Sequence, residues 1–130
     1  VSGDAPYHAH IYFGADQRAA ADALRRAFER LTADTAEPRV LFVGDLRDGK
    51  VGPHPISQYE IHFQAAALSG LLPMLEASGL RVLVHPLTDD DIADHTTMAH
   101  WIGEPLDLDL TVLDPPGVNQ GVPRFGKTDL

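Results

Sequence analysis

Tyr7-His8-Ala9-His10-Ile11-Tyr12-Phe13-Gly14 is the stretch on which the fold turns. Successive side chains of a strand point to opposite faces, so Tyr7, Ala9, Ile11 and Phe13 form one apolar face, and His8, His10 and Tyr12 form the other. Two histidines at i and i+2 on a strand stand roughly 6.6–6.8 Å apart at Cα. That span lets two imidazoles converge on one metal ion. The plain alternative is a solvent-facing polar row, because so short a pattern is common without a metal.

Composition narrows the chemistry. A chain of 130 residues is long enough for one domain with its own hydrophobic core. It contains no cysteine, which removes disulfides, thiolate metal sites and thiol catalysis together. Any metal would be held by histidine and carboxylate, a donor set that suits iron, manganese, zinc or copper. With ten Lys and Arg and a net charge of −9, the chain lacks the basic footprint that nucleic acid requires. No apolar run approaches the about 20 residues of a membrane span, so no membrane partner is expected, and the expected location is cytoplasmic.

Outward from the first strand, Val1–Pro6 reads as a lead-in. On the other side, Asp16 is a plausible N-cap for a helix whose apolar positions are Ala20, Leu24, Ala27, Phe28 and Leu31. Arg39–Gly44 is a short β-rich run, followed by a polar turn and a Gly- and Pro-rich loop, Val51-Gly52-Pro53-His54-Pro55. Gln58–Gln64 repeats the alternation of the first strand, with Tyr59, Ile61 and Phe63 on one face and Glu60 and His62 on the other. Ala65–Gly79 holds a second helix with Leu68, Leu71, Leu72 and Leu75 as its stripe, and Pro73 leaves its start open. Arg81–Pro86 is a fourth strand carrying His85. Thr88-Asp89-Asp90-Asp91-Ile92 then holds a capping residue and an acidic first turn, opening a helical segment through Met98 and Trp101. Leu106–Leu110 alternates like an edge strand, and residues 114–130 form an irregular tail.

The order strand, helix, strand, strand, helix, strand is that of an α+β, ferredoxin-like βαββαβ sandwich. Its expected sheet order is 4-1-3-2, with both helices on one face. His8, His10, Tyr12, Glu60, His62 and His85 then share the open face, and the ends of the third and fourth strands bring His62 and His85 beside His8 and His10. His8, His10 and His85 are the expected ligands of a divalent metal. Glu60 is the nearest carboxylate for a two-histidine, one-carboxylate set, and His62 competes for that place. His54 precedes the third strand and is expected at the far end from His8.

Several ordered motifs carry a resemblance over nearly the whole chain, from Tyr7 to about Leu110. His8-Ala9-His10-Ile11-Tyr12-Phe13, Gly52-Pro53-His54-Pro55, Leu83-Val84-His85-Pro86-Leu87-Thr88, Asp94-His95-Thr96 and Trp101-Ile102-Gly103 together resemble the DOPA 4,5-dioxygenase family of extradiol ring-cleaving enzymes. The resemblance implies a ferredoxin-like domain, non-haem Fe(II), a catechol such as DOPA, O₂ as co-substrate, and a semialdehyde product. Zinc or another divalent metal would suit the same ligands. His54 and His95 match its motifs and are expected in acid/base or substrate-contact roles beside Glu60; Tyr12, His62 and Trp101 are expected substrate contacts, with core packing the alternative for Trp101. Two other readings stay open: a ferredoxin-like small-molecule binding domain without catalysis, and a zinc-dependent hydrolase or isomerase using the same cluster. Because an open sheet face leaves such a site without walls, the expected assembly is a homodimer closing into an α+β barrel, which could carry His54 to its partner. The residues after Gly103 could instead fold over the face.

Overall fold

A strand buried on both faces belongs in the middle of a sheet, and β1 (Pro6–Tyr12) takes that place. In this computed structural model, which describes residues 3–114, β1 pairs antiparallel with β3 (Gln58–Gln64) on one side and with β4 (Val82–Pro86) on the other. A two-residue strand, β2 (Phe42–Val43), lies outside β3, and β5 (His100–Ile102) lies outside β4, giving the order β2-β3-β1-β4-β5. The first four strands follow the expected order 4-1-3-2. The fifth extends that sheet beyond β4.

The apolar sides of the strands make the core with two helices. Ala9, Ile11 and Phe13 join Tyr59, Ile61 and Phe63 and Val82 and Val84, packed by Ala21 and Phe28 of α1 (Arg18–Arg30) and Leu71 and Leu75 of α2 (Leu68–Ala77). Ala21, Leu24, Phe28 and Leu31 recur every three or four residues, the spacing that keeps one helix face on the sheet. Each fully buried Phe or Leu side chain here contributes about 1.5–3 kcal/mol.

Several expectations are corrected. Residues 3–5 are no loose lead-in: Gly3 and Ala5 accept backbone hydrogen bonds from Ala66 and Ala65 (3.0 and 2.8 Å). Asp16 caps nothing; it lies inside a 3₁₀ turn (Ala15–Gln17), and α1 starts after that turn. Pro73 sits inside α2, beyond its first turn. The helix expected through Met98 and Trp101 is only α3 (Asp91–His95); its cap, expected within Thr88–Ile92, is Asp90, while the Thr88 side chain bonds Asp94. Thr96 turns out of helical geometry, and His100-Trp101-Ile102 is captured by the otherwise unpaired edge of β4. That leaves Leu106–Leu110 no edge to pair with. The segment is irregular, is tied to the 51–56 loop by the amide of Asp109 on the Pro53 carbonyl (2.9 Å), and ends in a 3₁₀ turn at Leu110–Val112. The expected tail lies mostly outside the described residues. No helix among the described residues is long and apolar enough to cross a membrane.

A glycine inside α2 gives a test of this packing. A Cβ at Gly70 would meet Pro38 Cβ at 2.8 Å and Cγ at 3.1 Å. Ala normally stabilises a helix interior by up to about 1 kcal/mol over Gly, but overpacking costs about 1–3 kcal/mol. Gly70→Ala should therefore lower the urea midpoint, and a raised midpoint would show that α2 does not press on Pro38 as described.

Candidate metal centre

The register of the sheet writes the polar face as rows. Phe42, His62, His8 and His85 form one row across β2, β3, β1 and β4. The next same-face row is Glu60, His10, Leu83 and Trp101, and beyond it Gln58 lies opposite Tyr12. Directly opposed residues in antiparallel strands have Cα atoms about 4.5–5.5 Å apart. Three histidines in one row and a fourth two residues along β1 must therefore crowd one another.

This face is not open. His8, His54, His62 and His85 have no accessible surface and His10 has 1%. The chain supplies its own cover through the 51–56 loop, α3 and the segment after β5. Correcting the expected position, the Val51–His54 bridge turns the loop back over the sheet, and the His54 ring lies 4.1 Å from that of His10. Its Nδ1 is hydrogen-bonded to the Tyr12 hydroxyl at 2.6 Å. α3 brings His95 against His85, with ring centroids 4.2 Å apart.

Hydrogen bonds at the far edge of each ring decide what its other nitrogen can do. His85 Nδ1 donates to the Pro86 carbonyl (2.8 Å), and His10 Nδ1 donates to Gln58 Oε1 (3.1 Å). In the neutral rings both Nε2 atoms then carry a bare lone pair, and they face each other at 3.0 Å. Protonation does not readily resolve that opposition. Burial first, and the neighbouring histidines second, hold the pKa of both rings well below the usual imidazole range. A metal ion resolves it directly. Two nitrogens bound at about 2.0–2.1 Å to one ion, between a right angle and a tetrahedral angle, stand about 2.9–3.4 Å apart. His8, His10 and His85 can each place one ring nitrogen within 4.8 Å of the others, so the expected ligand set is brought together and fits a cation.

The other named residues fall around this triad. Glu60 is not among it. Its Oε2 lies 2.9 Å from His62 Nε2 and 3.3 Å from His8 Nδ1, and these three form a second group that shares His8. His62 is buried and stacked on His8. Tyr12 is buried too, and burial pushes its phenol pKa up, so the hydroxyl stays protonated. His95 Nδ1 donates to the Asp91 carbonyl (2.7 Å), leaving Nε2 as acceptor. His95 also lines a cavity of about 370 Å³ with Thr96, Trp101, Leu106, Asp107, Leu108 and Leu110. Small-ligand sites start at about 300 Å³. His100 is exposed.

Gln58 went unnamed in the sequence, although it shares strand parity with Glu60 and His62 and so was findable. The Pro86 and Asp91 carbonyls carried no such signal, because any residue supplies one.

Residues 7–112 match the family described as the Dopa 4,5-dioxygenase family. A DOPA 4,5-dioxygenase of Amanita muscaria is 36% identical over 112 residues, which are 82% of this chain and 49% of that protein. An uncharacterized 21.2 kDa protein of Botryotinia fuckeliana is 30% identical over 117 residues, covering 82% of this chain and 62% of that one. The chain thus spans less than two thirds of the length of either relative. A crystal structure from Nostoc punctiforme, described provisionally as a dioxygenase, superposes with a TM-score of 0.73 at 31% identity, covering 85% of this chain and 91% of its own.

The depressed imidazole pKa values set how the metal-free fold responds to acid. Above about pH 6.5, the unperturbed imidazole value, His10 and His85 are neutral in both folded and unfolded states and contribute no pH dependence. Below it the unfolded chain takes up protons that the folded chain refuses, so stability falls as pH drops. The urea midpoint of the metal-free protein should decline between pH 7 and pH 5, and less so for His85→Gln. A flat profile over that window would contradict the buried neutral pair.

Proposed function

The chain belongs to the Dopa 4,5-dioxygenase family, and from that premise we propose that it is an extradiol dioxygenase that opens the ring of a catechol such as DOPA with O₂ to a semialdehyde. In this reading Fe(II) is held by His8, His10 and His85. The observation that carries it is the pair of bare Nε2 lone pairs facing each other inside a buried histidine cluster. Bound there, ferrous iron supplies open positions for the catechol oxygens and for O₂.

The chain's own residues do the rest. Trp101 and the leucines at 106, 108 and 110 provide a flat apolar seat for an aromatic ring. His95, on the wall between that seat and His85, holds its proton on Nδ1 against the Asp91 carbonyl and offers Nε2 to take one from a catechol hydroxyl. His54, tied to the Tyr12 hydroxyl, is a second proton carrier beside His10. Glu60 and His62 act from beneath the cluster rather than on the ring. The first four strands with α1 and α2 form a ferredoxin-like unit extended by β5. In this reading the 51–56 loop, α3 and the segment after β5 supply the walls expected from a homodimer, so the site does not require the partner.

Anaerobic loading with ferrous iron, followed by oxygen uptake against a panel of catechols, tests the reading. A yellow ring-opened semialdehyde is the expected product. A muconic diacid as main product, or no uptake with any catechol, would sink it. His10→Ala and His85→Ala should each lose more metal affinity than the about 10–100-fold typical of an outer-shell partner.

The seat has its own test. Trp101 is the chain's one tryptophan and lines the cavity. A catechol added without oxygen to the metal-free protein should change its emission saturably. Emission that never saturates would place the substrate elsewhere.

A further inference from the structure

His8 belongs to both candidate groups, with His10 and His85 on one side and with Glu60 and His62 on the other. Ring geometry separates them. A metal–imidazole bond lies in the plane of the ring, so two rings serve one ion only when their planes meet at it. His8 and His62 are stacked face to face, with centroids 3.6 Å apart and planes 8° from parallel. Their in-plane lone pairs run side by side, and an ion touching both would sit well out of each plane. His10 and His85 are also near-parallel, at 12°, but their centroids are 5.1 Å apart and they meet nitrogen to nitrogen at 3.0 Å, while His8 stands at 74° and 64° to them and supplies another direction.

We propose that Glu60 is a positioning residue and not a ligand: hydrogen-bonded through Oε2 to His62 Nε2 and 3.3 Å from His8 Nδ1, it takes the His8 Nδ1 proton in the metal-bound protein, so that His8 presents Nε2 to the metal. Both contacts fall on one carboxylate oxygen: a hydrogen bond from His62 Nε2 at 2.9 Å and an approach of His8 Nδ1 to 3.3 Å, within ion-pair distance. A carboxylate behind a ligating imidazole sets its tautomer and raises its basicity. The buried negative charge also opposes the charge of the ion across the His8 ring. Gly44 belongs to the same arrangement. Its amide bonds the Glu60 carbonyl, and a Cβ there would press on Glu60 Cγ at 3.3 Å. The other carboxylate oxygen, Oε1, is buried without a hydrogen-bond partner among the described residues. It is the atom that would reach the ion if Glu60 were a ligand.

The inference rests on metal binding by His8, His10 and His85, and zinc affinity measured by chelator competition separates the two claims. If the parent protein binds no divalent metal, the metal reading falls and this inference with it. If the parent binds and His10→Ala does not, the metal reading stands and Glu60 is tested alone. Glu60→Gln should then weaken zinc binding about 10–100-fold. In a His8→Ala background the same substitution should cost nothing further, because Glu60 acts through His8. Unchanged affinity, or an equal loss in both backgrounds, overturns the proposal. Should the variants not fold, a crystal structure of the zinc-loaded parent decides. A Glu60 oxygen at the about 2.0–2.2 Å of a zinc–carboxylate bond overturns the proposal, and Glu60 on His8 Nδ1 with zinc on Nε2 supports it.

Discussion

A buried nitrogen lone pair needs a partner, and two of them, on His10 and His85, are held facing each other at 3.0 Å by acceptors on the far side of each ring. Much of the polar face follows from that constraint. One acceptor is the carbonyl of Pro86, part of β4 itself, and the other is the side-chain oxygen of Gln58, at the start of β3. The sheet therefore dictates the tautomers, and the tautomers dictate that a cation suits the space. In water the same two imidazoles would rotate apart or take up a proton.

Burial makes the constraint binding, and it comes from both sides of β1. Below, the helices cover Ala9, Ile11 and Phe13 and make a core large enough to hold the sheet rigid. Above, the chain folds its own loop, short helix and trailing segment over the histidines. Burying so many polar side chains is unfavourable unless they bond to one another, and several of them do. Tyr12 pairs with His54, His62 with Glu60, and Asp94 with the amide and hydroxyl of Thr88. Stability is thus drawn from the apolar face and committed to a polar face built for chemistry, the usual place for a fold to carry local conflict.

The cluster also has a direction. The cavity touches His95 and stops there, while His54, Glu60 and His62 lie beyond the triad. A ligand arriving from solvent meets an imidazole whose acceptor nitrogen is already set by the Asp91 carbonyl, before it meets the nitrogens that would hold a metal. His54 and His95 flank His10 and His85 on two sides, and Glu60 and His62 lie beside His10 and His8 on β3.

Strand parity was legible in the residues themselves. Alternation in Tyr7–Gly14 and Gln58–Gln64 sorted His8, His10, Glu60 and His62 from the core side chains, because a period of two leaves no freedom about which face a residue takes. The order of elements carried the sheet order of the first four strands, and the absence of cysteine limited the ligands to histidine and carboxylate. The tertiary structure alone decided how the far face is closed. A Gly- and Pro-rich loop has no period, so nothing local said that residues 51–56 would fold back and bury His54 beside His10. The capture of the edge of β4 was equally invisible, since Leu106–Leu110 read as the edge strand and residues through Trp101 read as helix, and only long-range pairing put His100–Ile102 there. The tautomers too waited on the fold. A backbone carbonyl is the same in every residue, and only its placement beside a ring edge turns it into the group that frees a lone pair.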